Sequence, residues 1–389
     1  MRRLLIVAVA IIGVLGVVTA VATASGRSGL DSAAPAPDGP DAAVSYEPAA
    51  GATALNPTAP VAVRATGGTL DQVALDGPDG EPVAGALNAE RTAWTASEPL
   101  DYATTYTWSG RATGPDGRAV PLQGTVATVK PSQEVRGTLN IGDDRTVGVA
   151  APIEIQFDTH VDDRAAVERR LKVTTSRDVE GAWGWLPDEN GGSRVHWRPK
   201  EYWPANTKVT VDAPLYGIAY GGGDYGQSDL TSSFTIGRKQ VVKADTRSFG
   251  MVVERDGKQV GSYPASYGLG SDPNRNTRSG IHVVTEKFTD KRMVSAQYGY
   301  DVMEKWAVRM SNNGEFIHAN PASSGAQGSS NVTHGCVNLS LADAKAYYDT
   351  ALYGDPVEVT GTPVALSPKD GDVWDWTLSW EKWQQLSAL

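Results

Sequence analysis

The chain has 389 residues, a formal net charge of −10, 42 glycines and 23 prolines. That length gives room for several domains that each bury a core, and the Gly/Pro punctuation of short apolar runs favours an all-β protein rich in turns. No cluster of Lys or Arg lies beyond Arg2 and Arg3, which argues against a nucleic-acid partner and against a polybasic membrane patch.

Met1-Arg2-Arg3 precedes an apolar run from Leu4 to Ala22, and Ala22-Thr23-Ala24 offers a small-residue cleavage site. The run is roughly nineteen residues, long for a signal peptide and enough to span a bilayer. A cleaved signal peptide and a retained N-terminal membrane anchor over residues 1–24 both fit. Each places the rest of the chain in the extracytoplasmic envelope, and the absence of a cysteine near residue 25 excludes a lipoprotein. Residues 25–43, rich in Pro, Ala, Gly and Asp, read as a disordered linker.

Residues 44–130 alternate short apolar runs such as Val61 to Ala65, Thr69 to Leu75 and Thr104 to Trp108 with turns such as Asp76-Gly77-Pro78-Asp79-Gly80. Residues 131–238 repeat the style with Ile153 to Phe157, Val195-His196-Trp197 and Lys208 to Val211, plus a helical turn or two from Arg164. Period-two patterning at this spacing predicts two tandem immunoglobulin-like β-sandwiches. His160 and His196 have no second ligand nearby and read as surface or sheet histidines. Trp183, Trp185, Trp197, Tyr202 and Trp203 read as core and packing aromatics in preference to a glycan-binding strip.

A third unit, residues 239–362, opens with Gln240 to Asp245 and Phe249 to Glu254, and Asp256-Gly257 marks a hairpin. A glycine-rich loop then leads through Thr277-Arg278-Ser279-Gly280 to a strand at Ile281, where His282 reads as structural. Ser340 to Tyr348 reads as a helix capped by Ser340. In the tail, residues 363–389, Trp376, Trp380 and Trp383 fall on one helical face predicted to dock on the third unit.

Within that unit Phe316 to Leu339 holds the sole cysteine, Cys336, with His318 eighteen residues upstream and His334 two residues before it. A thiol attacks as thiolate, so a nearby imidazole suits a nucleophilic role. The loop formers between the two histidines are long enough to bring His318 and Cys336 together. Gly335 removes the side chain ahead of the sulfur, which lets a carbonyl approach the backbone N–H groups of Gly335 and Cys336. Three readings stand: covalent acyl transfer on Cys336, a zinc site from His318, His334 and Cys336, or an inert buried thiol in an envelope-binding protein. The H-x15-H-x-C spacing matches no zinc signature.

Ile317-His318-Ala319-Asn320 followed by Thr333-His334-Gly335-Cys336-Val337-Asn338 resembles the signature of L,D-transpeptidases of the YkuD family, with matching from about Lys239 to Thr362. The resemblance implies a mainly β fold: two immunoglobulin-like sandwiches, a YkuD-type catalytic domain and a short C-terminal helical tail. It implies 3→3 cross-linking of peptidoglycan stem peptides through a Cys336 thioester with release of D-Ala, or L,D-carboxypeptidase action with water as acceptor. His318 is then the base, oriented by the Ala319 carbonyl, and His334 shapes the pocket. Tyr298 or Tyr300 belongs to a flap over the site, and Ser330, Asn331, Thr333, Asn338 and Arg309 are candidate substrate contacts. Carbapenem acylation of Cys336 is also implied, with no metal or cofactor and a monomeric state. The sequence departs from the family pattern at Thr277-Arg278-Ser279-Gly280, where T-P-x-G is common, and at Pro321-Ala322, where an aromatic is common.

Overall fold

The computed structural model describes residues 42–370 and 373–389. The N-terminal apolar run and almost all of the linker lie outside these residues, and the first strand begins at Ala43, one residue earlier than the linker reading placed it. The architecture is mainly β, as expected, and the chain divides into two compact units at Lys130 and Pro131.

In the first unit one sheet orders Ala43–Glu47, Ala62–Thr66, Ala93–Ala96 and Gly85–Leu87, and the other carries Thr69–Asp76, Thr105–Thr113, Ala119–Pro121 and Thr125–Ala127. Inward residues of both sheets, including Val63, Leu70, Leu75, Trp94, Trp108 and Val126, make one core. Trp94 meets Trp108 edge-on at 5.4 Å, a favoured aromatic geometry.

The second unit opens with another sandwich. Gly137–Leu139, Ile153–Phe157, Gly192–Pro199 and Gly181–Glu189 form one sheet, and Thr146–Val147, Leu230–Ile236, Lys208–Ala213 and Lys172–Thr175 the other. Trp183, Trp185, Trp197 and Trp203 are buried in its core, so they are packing residues. Trp203 Nε1 donates to the Ala151 carbonyl at 2.8 Å, which satisfies its polar tip.

Two further sheets follow in the same unit. The first orders Lys258–Pro264, Gly250–Arg255, Gln240–Asp245, Pro356–Thr360 and Gly280–Val283, and the second Glu286–Ser295, Tyr300–Arg309, Phe316–Ala319 and Val337–Leu339. The hairpin at Asp256-Gly257 needs positive φ at both residues, +51° and +77°, which Asp and Gly tolerate. Helix Leu341–Thr350 starts where Ser340 Oγ accepts from the Asp343 N–H at 3.1 Å. It buries Ala344 and Tyr347 against Val308, Ile317, Val337 and Leu339, the strands that carry the catalytic candidates.

The second sandwich and the catalytic sheets are joined by backbone hydrogen bonds. Gly148 N–H donates to the Tyr353 carbonyl at 2.7 Å and Ala150 N–H to that of Gly354 at 2.8 Å. A Cβ at Gly148 would lie 2.3 Å from the Asp355 nitrogen, so only glycine permits this approach.

The tail differs from the expectation. It is a 3₁₀ turn, Asp375–Thr377, and a separate helix, Trp380–Gln384, because Leu378 is extended (ψ 142°) and Ser379 caps a new helix. The 3₁₀ turn lies against strand Gly280–Val283 of the catalytic sheets and the helix against strand Gly181–Glu189 of the second sandwich, where Trp383 is buried against Leu186 and its Nε1 donates to the Ala182 carbonyl at 3.0 Å. The three indoles still converge, on the buried Arg198, whose guanidinium lies 4.7, 5.4 and 5.1 Å from the rings of Trp376, Trp380 and Trp383. A partly desolvated guanidinium over aromatic faces anchors the tail at this point.

Candidate active site

The histidine strand Phe316–Ala319 and the strand Val337–Leu339 run parallel, with His318 opposite Asn338. Cys336 immediately precedes the second of these, so the pairing that buries Ile317 and Val337 also brings sulfur and imidazole to one cavity. The loop between the strands is held from within. Asn320 Oδ1 accepts from the Ala322 N–H at 3.1 Å, Gln327 Nε2 donates to the Asn320 carbonyl at 3.0 Å, and Thr333 Oγ1 donates to the Cys336 carbonyl at 2.7 Å. Gly335 sits at φ +120°, where its side-chain-free backbone is needed for conformation; a Cβ would meet only ordinary contacts, the nearest at 3.5 Å.

His318 is 3% exposed, and its Nδ1 lies 2.9 Å from the Ala319 carbonyl. A carbonyl only accepts, so Nδ1 carries the proton and Nε2 is left for the sulfur. Burial pulls the His318 pKa down. The hydrogen bond to Cys336, the Glu304 carboxylate, the sulfur charge and the Ala319 carbonyl outweigh it and push the value up to about 10. The Glu304 carboxylate stands 3.7 Å from Nδ1. Half-buried Cys336 has its Sγ 3.5 Å from the Gly314 carbonyl.

A cavity of about 290 Å³ opens over these groups and takes in Tyr300, Glu304, His318, Thr333, His334, Cys336 and Asn338. Its roof is the long hairpin of Glu286–Ser295 and Tyr300–Arg309. The rings of Tyr298 and Tyr300 lie 4.5 and 5.3 Å from the His334 ring, so both belong to the flap and Tyr300 alone of the two lines the cavity. Partial burial and the nearby Arg275 guanidinium hold the His334 pKa below its ordinary value, which favours a neutral ring in this stack. Arg275 also donates to the Val332 and Thr333 carbonyls at 2.6 and 3.1 Å and lies 5.8 Å over Tyr298.

Two candidate substrate contacts are engaged elsewhere. Arg309 pairs with Glu286 and stacks 4.6 Å over Phe316, outside the cavity. Asn331 uses both ends of its amide on backbone, accepting from Tyr267 N–H at 3.0 Å and donating to the Thr246 carbonyl at 2.8 Å. Ser330 is exposed, and its carbonyl accepts from Ser266 Oγ at 2.8 Å. Asn338 does line the cavity. Its Nδ2 lies 3.3 Å from Ser323 Oγ, and its Oδ1 is buried without a partner.

Sequence reasoning missed Glu304, the Gly314 carbonyl and the support behind the nucleophile loop. Thr277 Oγ1 donates to the Gly335 carbonyl at 2.7 Å. Arg278, at the proline position of the related pattern, bridges Glu315 at 3.3 Å and Asp370 at 2.6 Å. One signal was available: Tyr300, Val302 and Glu304 are spaced by two on one strand and therefore share a face, and all three line the cavity. Among the described residues no three of His, Cys, Asp and Glu are grouped so as to hold a metal ion.

A bacterial Ig domain family matches residues 52–219, and the L,D-transpeptidase catalytic domain family, YkuD, matches residues 239–359. The chain is 52% identical to L,D-transpeptidase 5 of Mycobacterium tuberculosis over 90% of its own length and 78% of that protein. It is 35% identical to L,D-transpeptidase 2 of the same organism over 87% of its length and 83% of that protein. A solved LD transpeptidase in complex with imipenem is 31% identical over 59% of this chain and 99% of that one, with a TM-score of 0.49. A mainly β chain with bacterial Ig-type sandwiches ahead of a catalytic domain that carries a thiol and an imidazole in one cavity thus belongs to the L,D-transpeptidase family.

Proposed function

We propose that the protein is a peptidoglycan L,D-transpeptidase that forms 3→3 cross-links between stem peptides through a thioester on Cys336. The observation that carries this reading is that Cys336 and His318 line one cavity, with the imidazole Nδ1 fixed on the Ala319 carbonyl at 2.9 Å. That arrangement keeps an imidazole in one tautomer beside a thiol, as nucleophilic catalysis requires.

The Cys336 thiolate attacks the carbonyl between the L-centre of a diamino acid and the terminal D-Ala of a donor tetrapeptide. The backbone N–H groups of Gly335 and Cys336 stabilise the oxyanion; the Gly335 N–H leans on Thr333 Oγ1 at 3.4 Å, a contact weak enough for a substrate oxygen to replace. His318 gives its Nε2 proton to the departing D-Ala nitrogen. The side-chain amine of a second stem then attacks the thioester, His318 takes its proton, and sulfur leaves as thiolate. His334 and Tyr300 shape the pocket, Thr333 braces the turn, and Asn338 offers its buried Oδ1 to a substrate N–H. Water in place of the amine gives L,D-carboxypeptidase action on the same residues. The N-terminal run would export the protein and either anchor or release it, with the sandwiches spacing the site within the wall.

Intact-protein mass after mixing the chain with meropenem tests the core of this reading. A stoichiometric adduct in wild type, absent in Cys336→Ala and indifferent to EDTA, is expected, together with a cross-linked dimer from a soluble tetrapeptide. No adduct, with zinc bound in the purified protein, would make Cys336 a ligand instead of a nucleophile.

A further inference from the structure

The two half-reactions place different demands on His318. In the first, the imidazolium faces a thiolate, so its charge is balanced by the sulfur. In the second, the sulfur is bonded to the acyl carbon and uncharged. His318 must then accept a proton from the attacking amine before the C–S bond has broken. Thiolate charge returns only when the intermediate collapses, so in that interval the imidazolium is balanced by the transient oxyanion and by whatever fixed charge stands beside the ring.

We propose that Glu304 is a positioning residue that supplies this standing counter-charge, acting through His318 chiefly in the aminolysis half of the reaction; this rests on the thioester reading above. Its carboxylate lies 3.7 Å from His318 Nδ1, the ring nitrogen already turned to the Ala319 carbonyl. That is beyond hydrogen-bond distance, and the Nδ1 proton is already given to the Ala319 carbonyl at 2.9 Å. Its effect is therefore that of a charge, and an effective one, because the Glu304 side chain is 13% exposed and the His318 side chain 4%. Among the described residues Glu304 is also the sole carboxylate lining the cavity, which no Lys or Arg lines.

The surrounding charges leave this role to Glu304. Cys336 loses its charge on acylation, and Tyr300 and His334 face the cavity as neutral rings. Lys291 stands opposite Glu304 across the hairpin, but its Nζ lies 4.1 Å over Phe288. Lys305 is paired with Asp290 at 2.6 Å. On the helix packed against these strands, Lys345 is paired with Asp349 at 2.6 Å and Asp343 is bonded to Ser340 at 2.7 Å.

The test follows the His318 imidazole by ¹⁵N NMR in the free enzyme and in the acyl-enzyme formed with meropenem, for wild type, Glu304→Gln and Glu304→Asp. In the wild-type acyl-enzyme the His318 pKa should stay above the ordinary histidine value. Glu304→Gln should lower it by about one unit, a tenfold change in proton affinity, and Glu304→Asp should restore most of the difference. Single-turnover rates with a soluble tetrapeptide should show aminolysis falling several-fold more than acylation in Glu304→Gln. A wild-type acyl-enzyme value at or below the ordinary one would overturn the proposal without needing any variant to fold. So would equal losses in the two half-reactions. Failure of wild type to acylate would instead remove the thioester reading itself.

Discussion

His196 and Asp375, 179 positions apart in the chain, form a buried ion pair in which Nδ1 lies 3.1 Å from both carboxylate oxygens. The pair joins a central strand of the second sandwich to the C-terminal tail. Burial disfavours the imidazolium, yet the charges of Asp375 and Glu154 more than offset this and raise the His196 pKa. A raised folded-state value means that the stabilisation is complete below the unfolded pKa of about 6.5 and is lost as pH rises through the folded value. Asp375→Asn leaves buried His196 without its hydrogen-bonded carboxylate, with only the charge of Glu154 remaining, and should cost about 3–5 kcal/mol. Thermal melts across pH should show the gap between wild type and variant closing on the alkaline side; a gap independent of pH would contradict the charged pair.

Removing the first unit, so that the chain begins at Pro131, should leave hydrolysis and cross-linking of soluble peptides near wild-type rates while lowering cross-linking in cells. A chain beginning at Lys239 should be unstable and inactive, because Tyr353 and Gly354 would lose the backbone partners Gly148 and Ala150. Gly148→Ala, which forces a 2.3 Å contact, should mimic the longer truncation in a melt. Full soluble activity in the chain beginning at Lys239 would show the second sandwich to be a mere spacer.

Gly335→Ala places a side chain at φ +120° and should cost roughly 1–3 kcal/mol of local strain. The strain falls on the turn that aims Cys336, so the meropenem adduct should form at least tenfold more slowly while the melting temperature falls by only a few degrees. A large drop in melting temperature with unchanged acylation would place the role of Gly335 in folding instead.

The two flap tyrosines should separate kinetically. Tyr300 lines the cavity and Tyr298 packs on His334 from beside it. Tyr300→Ala should raise the KM for tetrapeptide several-fold. Tyr298→Ala should affect it less and should shift the His334 titration, measured by NMR, toward the ordinary histidine value as the ring becomes solvated.

What the sequence disclosed about the site is what local spacing encodes. Cys336, Gly335 and His334 are adjacent, and the helix that follows announces itself through Ser340 and Asp343, as the Ser340 cap shows. The alternating runs made both sandwiches legible for the same reason. The contacts that escaped depend on strand pairing between distant segments. Arg309 looked available until the hairpin set it opposite Glu286, and Asn331 looked like a substrate ligand until Tyr267 and Thr246 occupied its amide. Glu304 was hidden because the pairing of its strand with the histidine strand, not local spacing, brings it to His318. The tail tryptophans were legible as one apolar face but not their partner, because Arg198 is buried by the fold itself.

The sole cysteine of the chain, half-buried at the cavity beneath Tyr300, also has a practical consequence. A thiol-directed fluorophore or spin label has one place to attach, with no background from other sulfurs. Attached there it would sense the opening of the roof hairpin directly, so the enzyme in its native sequence is already a single-site reporter of its own flap.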